Sequence, residues 1–437
     1  MYQAAYSNAG TTPLPTQTAL SSQIGSTWGI AYSKQYKKAF TSAYLKRHVG
    51  MGPGGPTGAP SAVNAPGSIY FINPSSTTGG SFFFSLDALG PAYYTHNHTA
   101  GAALNVRDNV TRGISGNIAT ANADATTYDQ VGKVGIGDLE ISDDGRYLFL
   151  VNFYDRKLYR IDLQNAISPV TPTAAQITTY AIPNPNAAGS LNAGEFRPFA
   201  LKYSRGKIYV GSVTSGQTAA SVSATVNTAM NAYVYSFDVA TGTFNTTPVL
   251  TFSLSHNRGT DADGINETWK PWTNQFNPQT IGTTGSSSLR GGIPQPMFAD
   301  IEIDATNGII LGFRDRFGDQ SGYQNLNPAG TYYFSGFAYG DVYRGQINCS
   351  GTWSIENNGT SNGITTAGAN NAQGPGGGEY YFQENAQTFQ LNQSLGGLAQ
   401  LMGDNNVLMS TVDPINLWSQ GVAKERYTDG TKTSGYE

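Results

Sequence analysis

Two pairs of acids stand at the same place in a recurring string: Asp138 and Glu140 in GDLEI, Asp300 and Glu302 in ADIEI. Alternate residues of a strand share a face, so each pair presents two carboxylates to one side. If such strands line the channel of a propeller, the result is a carboxylate-lined channel able to take cations or sugars. The plainer reading is that the acids satisfy backbone N–H groups or pair with arginines at the hub. Because buried polar groups are almost always paired, the residues favour that reading. The run Phe313-Arg314-Asp315-Arg316-Phe317-Gly318-Asp319 concentrates charge in a charge-poor chain. Its arginines, Arg314 above all, could grip an anion with bidentate geometry, or the run could be an ion-pair knot at a blade edge.

Three further candidates are weaker. Asp261-Ala262-Asp263-Gly264-Ile265-Asn266-Glu267 opens like a calcium loop, with Asp261, Asp263 and Asn266 as oxygen ligands. It lacks the next ligand spacing and the closing bidentate glutamate, yet calcium is the one cofactor the residues suggest. Trp269, Pro271 and Trp272 follow at once and read as a packed loop anchor rather than a sugar platform. His96 and His98 alternate and would share a face of an extended segment, as a metal pair does. A catalytic zinc needs three protein ligands, and no third stands next to them. The glycine runs at Gly50–Gly55 and Gly374–Gly378 lack the Gly-Lys-Ser/Thr ending of a phosphate loop, and no G-x-S-x-G elbow is present.

The elements that must position these groups repeat along the chain. An alternating apolar strand, a short polar turn and a second strand occur from Trp28, Gly137, Arg197, Phe298 and Gly396. Asp143-Asp144-Gly145, Thr306-Asn307-Gly308 and Asp404-Asn405-Asn406 are turn residues that tolerate positive φ. The first four copies are each followed by two more strand candidates: 68–72 and 81–86, 157–162 and 177–182, 232–237 and 249–252, 340–345 and 352–355. Four short antiparallel strands per unit, repeated, is the sequence form of propeller blades. The expected fold is therefore an all-β propeller with five recognisable four-stranded blades, six or seven being compatible. Long polar insertions (93–130, 214–230, 257–289 and 357–385) separate the units, and any binding surface would lie there.

Composition agrees with a sheet protein. Of 437 residues, 53 are Gly and 26 Tyr, and charged residues are only 12%, about half of the roughly 25% usual in globular proteins. A net charge of −4 and the lack of a basic stripe argue against nucleic acid. The single cysteine, Cys349, leaves no disulfide within the chain. No apolar run approaches the about 20 residues of a membrane helix, and Met1 is not followed by a signal sequence.

Several strings go together: AYLKRHVGMGPGG from Ala43, VGKVGIGDLEISDDGRYLFLVNFYDRKLYRIDL from Val131, RPFALKY from Arg197, PQPMFADIEID from Pro294, FRDRFGDQ from Phe313, GGGEYY from Gly376 and GGLAQLMG from Gly396. Their order resembles the propeller-like region of large bacterial surface proteins that commonly carry Sdr/Cna B-type immunoglobulin-like repeats. The resemblance implies export to the bacterial cell surface and a role in adhesion, surface architecture or filaments. It also implies partners among other surface proteins, further copies of the chain, or extracellular glycans. It brings no catalytic residues. Such proteins continue into another strand where this chain ends, so residues 1–24 are expected either to close the ring of a 25–437 propeller or to leave that strand to a neighbouring chain. The competing expectation is a glycan-active propeller enzyme with its site among Asp138, Glu140, Asp300, Glu302 and Arg314.

Overall fold

The computed structural model describes residues 1–55, 65–99, 108–117, 120–164, 169–186, 195–217, 230–281, 289–384, 392–417 and 419–437. Much of the 214–230 insertion, and parts of the other three, lie outside the described residues. The chain is an all-β propeller built from four-stranded antiparallel blades in sequence order. It falls into two units, Met1–Tyr6 with Pro13–Ile182 and Asp319–Ser335, and Ser7–Thr12 with Pro183–Gly318 and Gly336–Glu437.

The first unit holds two blades. Blade 1 is Thr27–Ser33, Lys38–Ala43, Ser68–Ile72 and Gly80–Ser85; blade 2 is Ile136–Ile141, Tyr147–Asn152, Lys157–Asp162 and Ile177–Ala181. The middle strands are apolar on both faces because each blade is covered by its neighbour, which is why FLV at Phe149–Val151 reads as a continuous run. Between the blades Phe40, Phe71 and Phe83 join Leu139, Leu150 and Tyr159 in one core. Close approach demands glycine at one point: a Cβ on Gly29 would sit 2.8 Å from the Leu139 nitrogen of the next blade.

The described residues of the second unit include three more blades. Blade 3 is Phe196–Ser204, Lys207–Thr214, Asn231–Asp238 and Leu250–Ser253, with the short Thr243–Phe244 also paired to Asn231–Asp238. Blade 4 is Pro296–Ile303, Ile309–Asp315, Asp341–Ile347 and Trp353–Ile355, and blade 5 is Ser394–Gln400, Asn406–Val412, Gln420–Arg426 and Lys432–Tyr436. Stacked Phe298 and Phe313, with ring centroids 4.6 Å apart, centre the core shared by blades 3 and 4. The expected strands of blades 1 to 4 lie within a residue or two of those observed. The third and fourth strands of blade 5 were not legible, since GVAKER and KTSGY are polar and mostly half-exposed. In the blade 5 hairpin the positive φ falls on Gly403, at 87°, rather than on Asp404, Asn405 or Asn406. Asp404 Oδ1 instead accepts the Asn406 N–H at 2.9 Å.

All five first strands share a defect in the ladder. Register shifts fall between Trp28 and Ile30, Ile136 and Leu139, Pro198 and Leu201, Phe298 and Asp300, and Ser394 and Leu398. Such a bulge sharpens the twist and frees backbone groups from their ladder partners. The N-terminal segment is ordered at two places. Tyr2–Gln3 pairs with Thr16–Gln17 in the first unit, whereas in the second Gly10 donates to the Gly435 carbonyl at 2.8 Å and accepts from the Glu437 N–H at 3.0 Å.

Candidate metal centre

The repeated acids are tied to the bulges. Asp138 Oδ1 accepts the N–H of the next residue, Leu139, at 2.9 Å, and Asp300 Oδ1 likewise accepts from Ile301 at 2.8 Å. Beside each bulge the aspartate thus caps the N–H of the residue that follows it, which accounts for its recurrence. Asp300 Oδ2 accepts the Leu398 N–H at 2.7 Å, joining blade 4 to blade 5. Glu302 Oε1 lies 2.9 Å from Lys202 Nζ, joining blade 4 to blade 3. Glu140 is half-buried on the first strand of blade 2. Arg314 Nη1 donates to the Leu395 carbonyl at 3.1 Å, again across blades. Asp300, Glu302 and Arg314 thus hold adjacent blades together.

The rest of the charged run is also built in. Asp315 accepts backbone N–H groups from Gln295 and Phe317, both at 2.8 Å, and from Tyr339 at 3.2 Å. Burial pushes its carboxyl up to about 7 against the pull of those donors. Arg316, fully buried, donates to the Thr273 carbonyl at 3.0 Å and lies 4.6 Å over the Trp272 ring. In the first unit Asp319 accepts from the Tyr44 hydroxyl at 2.8 Å.

The calcium-like loop does not converge on a point. Asp261 accepts the Ile265 N–H at 2.8 Å and a short bond from the Tyr339 hydroxyl. Asp263 pairs with Arg290 at 3.2 Å, and Asn266 Oδ1 accepts the Thr268 N–H at 2.8 Å. Trp269 and Trp272 are packed anchors: their indole N–H groups donate to the Tyr343 hydroxyl at 3.0 Å and the Pro296 carbonyl at 2.8 Å.

The histidine pair acquires what the sequence left it without. After blade 1 the chain makes two single turns, Leu86–Leu89 and Pro91–Tyr93, and returns past Asp87. Asp87, His96 and His98 form a group whose ligand atoms all lie within 4.8 Å of one another, the one such His/Cys/Asp/Glu group among the described residues. Asp87 Oδ2 is 3.4 Å from His96 Nδ1, and Oδ1 is 3.3 Å from His98 Nε2. Thr95 fixes the carboxylate from behind, its N–H donating to Oδ1 at 2.6 Å and its hydroxyl to Oδ2 at 2.7 Å. A Cβ on Gly67 would lie 2.5 Å from Oδ2, so glycine is what leaves Asp87 its seat. Blade 2 holds the returning segment, with Gly135 N–H donating to the Thr95 carbonyl at 2.8 Å and Asn152 to that of Tyr94 at 3.0 Å. Tyr94 stacks on His98 with centroids 3.4 Å apart.

Asp87 and His96 are buried, while the His98 side chain keeps 24% of its exposure. Burial acts to raise the Asp87 carboxyl, but the bonds from His96, His98 and Thr95 outweigh it and hold the group below the ordinary value. His96 Nδ1 faces the Asp87 carboxylate at 3.4 Å, while its buried Nε2 has no hydrogen bond among the described residues. Asp87 escaped the sequence reading because it stands nine residues before His96, outside any local ligand pattern. Its one signal is a lone acid in the apolar run FFFSLDAL. Also unforeseen is a set of buried acids in the second unit: Glu356 and Glu425 are each pushed up to about 8 by burial, and Glu379 and Glu384 well above the ordinary range.

No family model matches the chain. It is 25% identical over 429 residues to Colossin-A of Dictyostelium discoideum, covering 95% of this chain and 3% of that protein. Over 310 residues it is 23% identical to Colossin-C of the same organism, covering 68% of this chain and 24% of that one. The chain therefore spans a quarter or less of these relatives. Among solved structures, a putative 6-phosphogluconolactonase from Bacteroides uniformis aligns with 96% of this chain and 86% of its own at 10% identity and a TM-score of 0.38. The Swd1 β-propeller domain of Myceliophteria thermophila aligns with 94% and 73% at 6% identity and a TM-score of 0.37. No helix among the described residues is long and apolar enough to cross a membrane.

Proposed function

We propose that this chain is a non-catalytic propeller module of a larger, surface-exposed protein, presenting its blade-connecting loops for adhesion, ligand binding or assembly. One observation carries the reading. Three of the five side chains suited to glycan chemistry in a channel are engaged between blades: Asp300 with the Leu398 N–H, Glu302 with Lys202 and Arg314 with the Leu395 carbonyl. A catalytic pair needs its groups converging on a substrate, with their protons free to move. The small share of the colossins that the chain spans supports its being one module of many. Surface exposure rests on the resemblance of its motifs and on its charge-poor, nearly cysteine-free composition.

The test pairs an immobilised-glycan binding screen and light-scattering mass measurement with an assay for released sugar, using the full chain and the Asp300→Asn/Glu302→Gln variant. Expected are saturable binding or self-association in the full chain, no sugar release from either, and a lowered melting temperature in the variant. Sugar release by the full chain that disappears in a still-folded variant would overturn the reading.

A further inference from the structure

We infer that Asp87, His96 and His98 form a binding site for a divalent transition-metal ion, Zn2+ foremost, with three protein ligands and a fourth position open to an exchangeable ligand. The inference is independent of the module's proposed role. Three observations carry it. The first is spacing. Ligand atoms about 2.1 Å from a tetrahedral zinc stand roughly 3.4 Å from one another. The two imidazole–carboxylate separations are 3.4 and 3.3 Å. Each separation, taken to a different oxygen of Asp87, is about the length of such an edge and longer than a good hydrogen bond, and one ligand atom from each of the three residues lies within 4.8 Å of the others.

The second is the state of His96. It has no solvent exposure, its Nδ1 meets the Asp87 carboxylate at no closer than 3.4 Å, and its Nε2 has no hydrogen bond among the described residues. A buried polar group without a partner is destabilising, and a metal ion supplies the missing interaction. The third is the support around the ligands. Metal-binding carboxylates are characteristically oriented by further hydrogen bonds, and the N–H and hydroxyl of Thr95 each hold one oxygen of Asp87. The glycine at position 67 and the stacked ring of Tyr94 complete the setting.

The donor set selects the ion. Two imidazoles and one carboxylate suit zinc and its neighbours, whereas calcium takes six to eight oxygens and magnesium an octahedron of them. Solvent reaches the site through half-exposed His98, so a water molecule or an incoming carboxylate can take the remaining position.

The experiment strips the full chain with chelator and titrates it with Co2+, whose tetrahedral complexes absorb strongly in the visible, followed by displacement with Zn2+. The expected result is one Co2+ per chain with tetrahedral bands, bleached by Zn2+, and a higher melting temperature with either ion. His98→Ala, at the exposed ligand, should weaken binding at least about tenfold. Thr95→Val, which leaves all three ligands, should weaken it about 10- to 100-fold. Absence of tetrahedral bands in the folded wild-type chain, with no change in melting on adding Zn2+, would overturn the inference. So would full-strength binding by His98→Ala.

Discussion

Glu425 offers a direct measurement of how strongly the second unit desolvates its acids. It lies on Gln420–Arg426, fully buried, with neither carboxylate oxygen hydrogen-bonded. Burial pushes its carboxyl from 4.5 up to about 8, opposed by the charge of Lys432. The unfolded chain releases this proton near pH 4.5 and the folded chain holds it until about 8. The group's stabilising contribution is therefore complete below pH 4.5 and is lost as pH rises through 8. At pH 7 the loss amounts to about 3 kcal/mol, from 1.4 kcal/mol per unit over about two and a half units. It approaches about 5 kcal/mol once the folded group also ionises. Glu425→Gln does not titrate, so it should be more stable than the parent at pH 7 by that amount relative to any difference at pH 4. A constant offset from placing the amide cancels between the two pH values. Calorimetric melting of both proteins from pH 4 to 8.5 measures it. A gap that does not change with pH would refute the reasoning, and a parent that gains on the variant as pH rises would show Glu425 ionised and paired with Lys432.

Three other outcomes follow from the packing. Asp315→Ala leaves three backbone donors, those of Gln295, Phe317 and Tyr339, without an acceptor, and should destabilise by about 3 kcal/mol or more in thermal melts; an unchanged melting temperature with lost ligand binding would place the residue in function instead. Gly312→Ala drives a Cβ to 2.3 Å from the Gly396 carbonyl oxygen of the next blade and should cost about 1–3 kcal/mol, whereas Gly116→Ala, which meets nothing within 4 Å, should melt like the parent. Deleting residues 1–24 removes Ala19 and Ile24 from beside Tyr70 and Ile72 and the bridge from Gly10 to Tyr436, and should lower the melting temperature. A truncated chain that stays monomeric and equally stable would make the N-terminus a mere tail.

Much of the fold was legible in the residues. Alternation and doubly buried runs mark strands because side chains alternate with a period of two, and that information is local. The sequence by itself determined the five strand–turn–strand copies, the anchoring role of Trp269 and Trp272 and the recurrence of Asp138 and Asp300. The last pair marks bulges, where an acid caps the N–H of the residue that follows it. The third and fourth strands of blade 5 were hidden because their residues are mostly polar and carry no apolar alternation, even where one of them, Glu425, is fully buried. Only the tertiary structure decided the sites. Asp300 reaches Leu398, 98 residues away, because two blades stack. Asp261, Asp263 and Asn266 looked like ligands by spacing, yet each turned to a nearer partner. Asp87 meets His96 and His98 because two tight turns fold the chain back under Thr95. A ligand set is a convergence of atoms in space, and the path of the backbone between the residues, set by packing against blade 2, brings these three together.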